Sequence, residues 1–216
     1  KLDNNGFGKL ITASVRLRWC RYQEYYEDGW HGTWQMDGGV ICQQAIHHID
    51  ALRWILGPVD SVCASMSNQI NKLEAEDTLV GLIKFKSGCL STIEVTTAAR
   101  PRDFEASISI VGENGIAQIG GVALNEIDVW EFLNGSEKAE SIKKECNVSV
   151  KSGMGFGHID YLEELITSLN ISKDKVPLQV PESTNALELV HALYSSVEEG
   201  CWVRMAEMKR SKFLGK

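Results

Sequence analysis

The run Gly39-Val40-Ile41-Cys42-Gln43-Gln44-Ala45-Ile46-His47-His48-Ile49-Asp50-Ala51-Leu52-Arg53-Trp54-Ile55-Leu56-Gly57-Pro58 decides the fold. At about 100° per residue, Ile41, Ala45, Ile49, Leu52, Ile55 and Leu56 share one arc, so an amphipathic helix is expected over residues 39–56. Asp37 is placed to cap its start. Gly57 followed by Pro58 stops it, because glycine tolerates a left-handed backbone and proline cannot continue a helix. The arc needs a core to face, and the flanking sequence supplies strands. Over residues 10–20 the side chains alternate, Ala13, Val15, Leu17 and Trp19 against Ser14, Arg16, Arg18 and Cys20, the period of a half-buried strand. Further strands are expected over residues 61–68, 78–85, 90–97, 104–111, 116–119 and 126–132. The turns Lys86-Ser87-Gly88 and Gly112-Glu113-Asn114-Gly115 carry the Gly or Asn suited to positive φ. Two closing helices, residues 159–169 and 186–199, bear the stripes Leu162, Leu165, Ile166, Leu169 and Leu189, Val190, Leu193, Val197. The expected architecture is α+β: an open, largely antiparallel meander with helices packed on one face. The other face, with Thr92, Thr96, Ser107 and Ser109, is either solvated or the seat of a homo-oligomer interface.

The 216 residues carry 22 Lys and Arg against 29 Asp and Glu, a net charge of −7. Binding nucleic acid or an anionic membrane surface requires clustered positive charge, so small molecules or proteins are the expected partners. With 44% hydrophobic residues and 4 prolines a core is affordable to build, and no repeat or internal linker divides the chain, so one domain over 1–216 is expected. No apolar run approaches the roughly 18 residues of a membrane span, and no secretory leader is visible, which points to a cytoplasmic protein. Both ends are polar and abrupt, leaving a longer parent open. The cysteines Cys20, Cys42, Cys63, Cys89, Cys146 and Cys201 lack metal or redox spacing and read as reduced, mostly buried hydrophobes.

Opposite the apolar arc, Gln43, His47, Asp50 and Trp54 form a stripe in which neighbouring side chains can meet. An imidazole beside an orienting carboxylate suits general acid/base work, whereas a solvated helix face would carry the same residues with no such role. His48 points toward the apolar arc and reads as a buried histidine with a hydrogen-bond partner. Adjacent histidines project about 100° apart, so His47 and His48 cannot share an ion with His31 and Asp50, and no metal is expected. The loop over residues 22–34 is rich in amphipathic aromatics, among them Tyr22, Tyr25, Tyr26, Trp30 and Trp34, which suits sugar or nucleotide recognition or a lid packed on its own domain. Arg16, Arg18 and Arg21 could clamp an anion or pair with the surplus acids. No Gly-rich dinucleotide fingerprint follows an early strand.

The stretch from Trp30-His31-Gly32-Thr33-Trp34 through Asp37-Gly38-Gly39 to His47-His48-Ile49-Asp50 resembles the C-terminal domain of the Gfo/Idh/MocA oxidoreductases. Gly8-Lys9-Leu10, the Val111 to Gly115 turn, Gly157-His158 and Tyr194-Ser195-Ser196 extend the likeness over nearly the whole chain. The aromatic loop is most similar to the branch acting on nucleotide-linked amino sugars, the UDP-N-acetylglucosaminuronate 3-dehydrogenases. The resemblance implies an NAD- or NADP-binding Rossmann domain before this region, with a lysine near the nicotinamide, neither of which the chain contains. It thus implies a substrate-binding and oligomerisation domain, inactive alone. It implies His47 as the catalytic residue and Gln43, Asp50, Arg21, Tyr22, Tyr26 and Trp34 as substrate-binding residues for a sugar or sugar nucleotide. Gln43 replaces the family's Asp or Asn, which moves it from acid/base work to hydrogen bonding. His31 replaces a frequent Arg. The competing expectation is a stand-alone ligand-binding or oligomerising module of the same fold.

Overall fold

The computed structural model describes residues 6–121, 124–133, 139–147, 149, 157–171 and 180–216. Seven strands lie close to their expected places: β1 Leu10–Arg18, β2 Val59–Ser67, β3 Thr78–Phe85, β4 Leu90–Thr96, β5 Glu105–Gly112, β6 Gly115–Gly120 and β7 Glu126–Phe132. The helices are α1 Ile46–Leu56, α2 Ala139–Cys146, α3 Gly157–Ile171 and α4 Val180–Glu199, followed by a short edge strand, β8 Val203–Arg204. The eight strands form one open sheet in the order β7-β6-β5-β1-β4-β3-β2-β8. All neighbours are antiparallel except β1 and β4.

The sheet is therefore not a simple meander, because β1 inserts between β4 and β5. Its side chains suit that central place. Ala13, Val15 and Leu17 are buried on the helix-covered face, while Ser14 bonds Ser109 (2.7 Å) on the other. Arg18 there bridges Glu94 (Nε to Oε1, 2.8 Å) and Glu105 (3.0 Å), so it pairs with acids on neighbouring strands. Alternation identifies a strand and its faces but is silent on its neighbours.

α1 and α4 cover the inner face, where Ile41, Ile49, Leu52, Leu79, Ile83, Ile93, Leu189 and Leu193 form the core. Burying each such side chain contributes ~1.5–3 kcal/mol. The residues of the expected arc are inward-facing, with Ile49, Leu52 and Leu56 of α1 buried and Ile55 half-buried, and Ile41 and Ala45, which precede the helix, buried as well. α3 departs from expectation: none of its residues is buried, and Leu162, Ile166 and Leu169 are exposed. An apolar stripe shows that a helix has something to cover, not what covers it. α2, which no pattern announced, lies against β7.

Two local readings also change. Gly88 does adopt positive φ (+88°) in the β3–β4 turn, but in the β5–β6 turn neither glycine does. Gly112 is needed there for space, since a Cβ would sit 2.4 Å from the Phe7 carbonyl oxygen. All six cysteines are free, but only Cys89 is buried; Cys146 and Cys201 are exposed and the others intermediate. Among the described residues no helix is long and apolar enough to cross a membrane.

Candidate active site

Helix α1 begins at Ile46 rather than residue 39, and what precedes it is a set of turns built on a buried acid. The Gly39 N–H donates to the Tyr194 hydroxyl (3.0 Å), which donates to Glu76 Oε1 (3.1 Å). The Ile41 N–H donates to the same Oε1 (3.1 Å) and the Val40 N–H to the Glu76 carbonyl (2.9 Å). Glu76 Oε2 lies directly over the Gly39 Cα, where a Cβ would meet it at 2.0 Å. These tertiary bonds anchor residues 39–41 to Glu76 and Tyr194 ahead of the helix. Asp37 is consequently no helix cap; its Oδ2 accepts the Gly32 N–H (2.9 Å), and the N-cap position falls on Ala45, with no side-chain bond.

Complete burial pushes the Glu76 carboxyl up from 4.5 to about 8, helped by Asp77 and opposed by the Ile41 N–H and Tyr194. The same burial and the neighbouring Glu76 raise the Tyr194 phenol well above its usual range. Burial thus makes Glu76 hold its proton far above the usual carboxylate range. A carboxyl raised on folding favours the folded state fully below its unfolded value and loses that contribution as pH rises through about 8. The denaturation temperature of the wild type is therefore expected to fall between about pH 5 and pH 8, and Glu76→Gln, which cannot ionise, to flatten that slope. Parallel curves for the two proteins would refute the raised carboxyl.

From this anchored turn α1 presents His47, Asp50 and Trp54 as exposed side chains. Gln43, expected on the same helix, instead precedes it, its N–H bonded to the Gly39 carbonyl (3.0 Å). His48 is buried as expected but lacks the expected partner: neither ring nitrogen is hydrogen-bonded. It packs edge-on to Trp19 (centroids 6.1 Å apart), and burial, with His47 beside it, lowers its pKa to about 4. His48 is a neutral spacer behind the site.

The aromatic loop meets this turn through Tyr25. Gln43 Nε2 donates to the Tyr25 hydroxyl (2.8 Å), which lies 2.9 Å from His31 Nε2, and His31 Nδ1 lies 2.6 Å from Asp28 Oδ2. Trp30 stacks on His31 at 3.6 Å. Arg21 sits over the rings of Trp19 (5.1 Å) and Tyr25 (5.6 Å) and bonds Asp103 (3.2 Å). Gln43, Tyr25 and Arg21 are thereby brought together. Tyr26 packs edge-on to Tyr25 (centroids 5.1 Å apart), and the remaining bonds of the loop aromatics go to other partners. Tyr22 donates to the Pro101 carbonyl (3.3 Å) beneath the Arg100 guanidinium, and Trp34 packs between Tyr194 and Phe213. Tyr26 bonds Thr97 Oγ1 (2.7 Å), and burial pushes its phenol up to about 12. Sequence patterning missed Asp28, Glu76 and Tyr194 as parts of the site's frame; the short Asp28-to-His31 spacing was the one readable sign.

Among the described residues no three His, Cys, Asp or Glu side chains are placed to hold a metal ion. Nor does a Gly-rich turn lead from a strand directly into a helix among them.

Residues 1–205 match the model of an oxidoreductase family's C-terminal alpha/beta domain. The chain belongs to this family. Solved relatives place it more closely. The WlbA dehydrogenase of Bordetella pertussis, in complex with NADH and UDP-GlcNAcA, is 35% identical over 94% of the chain, with a TM-score of 0.85. The WlbA dehydrogenase of Chromobacterium violaceum, with the same two ligands, is 36% identical over 94%, with a TM-score of 0.84. This family member spans 58% and 56% of those two proteins. An oxidoreductase from Agrobacterium radiobacter in complex with NAD+, L-tartaric acid and magnesium, 18% identical over 96% of the chain and 60% of its own length, has a TM-score of 0.70 and shares the fold.

Proposed function

We propose that the chain builds the substrate side of an NAD- or NADP-dependent sugar-nucleotide dehydrogenase, whose dinucleotide is held by a Rossmann domain outside these residues. The observation that carries this reading is the exposed His47 one turn beyond Gln43, on a segment anchored by Glu76, in a chain 35% identical to a UDP-GlcNAcA-bound dehydrogenase. The His47 imidazole takes the substrate hydroxyl proton while the C–H hydride leaves the carbon bearing that hydroxyl; a nicotinamide, when bound, would supply the hydride acceptor. Arg21 and Gln43 line the substrate, and Asp50 lies one turn along α1 from His47. Tyr22, Tyr26 and Trp34 hold the loop in shape around them.

The test is NADH or NADPH formation by the full-length protein given UDP-GlcNAcA. Turnover with either cofactor is expected, and none with both would overturn the reading. The isolated chain is expected to bind no dinucleotide, a result that tight, stoichiometric NAD binding would reverse.

The uncovered sheet face is proposed as the seat of a homo-oligomer. Val80, Leu82 and Leu90 are exposed there beside the Arg18, Glu94 and Glu105 network, a patch with apolar and charged parts of both signs that suits a copy of itself. Light scattering is expected to show an assembly that Val80→Glu combined with Leu82→Glu reduces to monomers; persistence of the assembly would exclude this face.

A further inference from the structure

The hydrogen-bond chain behind Gln43 has only one internally consistent polarity when Asp28 is ionised and the His31 ring carries a single hydrogen. The Asp28 carboxylate is held below its usual range: partial loss of water raises it, but the His31 and Trp30 N–H groups and the His31 ring outweigh that. An ionised Asp28 Oδ2 accepts only, so neutral His31 carries its hydrogen on Nδ1. His31 Nε2 is then an acceptor and takes the Tyr25 O–H. The Tyr25 oxygen, having donated, accepts from Gln43 Nε2. Gln43 is left with its Oε1 as the end of the chain, shielded from bulk water and without a hydrogen-bond partner. An orphaned acceptor of this kind carries a cost that a donor brought by a bound molecule removes.

We infer that Asp28, His31 and Tyr25 form a positioning relay that fixes the Gln43 amide with its carbonyl as the unengaged end, so that the substrate group meeting Gln43 must be a hydrogen-bond donor. A sugar hydroxyl or amide N–H qualifies; a carboxylate or ether oxygen at that place does not. The relay begins at the surface, where Asp28 is partly exposed, and is stiffened by Trp30 stacked on the His31 ring. This inference rests on the dehydrogenase reading only for the nature of the bound molecule, since the relay itself belongs to this chain.

The experiment uses the full-length protein labelled with 15N-histidine. The His31 signal is identified by its loss in His31→Gln, and its long-range proton–nitrogen pattern reports the tautomer. An Nδ1–H tautomer that is lost in Asp28→Asn is expected, and an Nε2–H tautomer in the wild type would overturn the relay. In parallel, steady-state kinetics with UDP-GlcNAcA are expected to show KM raised about fivefold to tenfold in Tyr25→Phe, with kcat nearly unchanged, the signature of a lost ground-state alignment. An unchanged KM would also overturn it. Should the wild type turn over no UDP-sugar, the dehydrogenase reading falls, and the tautomer alone then upholds or rejects the relay.

Discussion

If the proposed dehydrogenase reading holds, His47→Ala in the full-length protein is expected to lower kcat by ~10²–10⁴-fold, the range a positioned general base contributes. Thermal stability should barely change, within about 0.5 kcal/mol, because the ring is exposed and off the buried arc of α1. The two readouts separate the roles. A catalytic base loses rate without losing the fold, and a structural histidine does the reverse. Residual kcat within about tenfold of the wild type, or a large drop in denaturation temperature, would remove His47 from the chemistry. His48→Ala should behave oppositely, costing stability through a cavity beside Trp19.

Gly39→Ala carries the largest expected effect on folding. The added Cβ would lie 2.0 Å from Glu76 Oε2, 2.1 Å from its Cδ and 2.4 Å from its main-chain oxygen. The carboxyl could swing aside only by abandoning the Ile41 N–H and the Tyr194 hydroxyl, and the carbonyl cannot swing at all. Overpacking and broken buried bonds together should cost about 3 kcal/mol, or roughly 10 °C in denaturation temperature for a chain of this size. Any activity left should also be poor, since the displaced turn carries Gln43 and leads into His47. Gly157→Ala is the control: a Cβ there meets nothing within 4 Å, and a small effect is expected. Equal denaturation temperatures for Gly39→Ala and wild type would show that the turn is not closed as described.

Much of the framework was readable locally. Gly57 ends α1 with φ +83° and its N–H on the Arg53 carbonyl, as the Gly-Pro pair announced. Strand β3 and strand β7 have the bounds that alternation assigned them. Two of the differences arise where distant residues meet a local pattern. The helix predicted from residue 39 begins only at Ile46, after turns anchored by a glutamate and a tyrosine far along the chain. The arginines of β1 read equally as an anion clamp or as paired charges, and only the register against β4 and β5 sets Glu94 and Glu105 beside Arg18.

By itself the sequence determined seven of the strands and three of the helices, which of their faces are apolar, and that His47 projects away from the core, since all three follow from period and side-chain type. Tertiary structure decided the central place of β1, the buried Glu76 beneath Gly39, and the union of Gln43 with Tyr25, His31 and Asp28. Those depend on residues far apart in the chain becoming neighbours, and on water being excluded where they meet. Neither condition leaves a local signature in the amino-acid order.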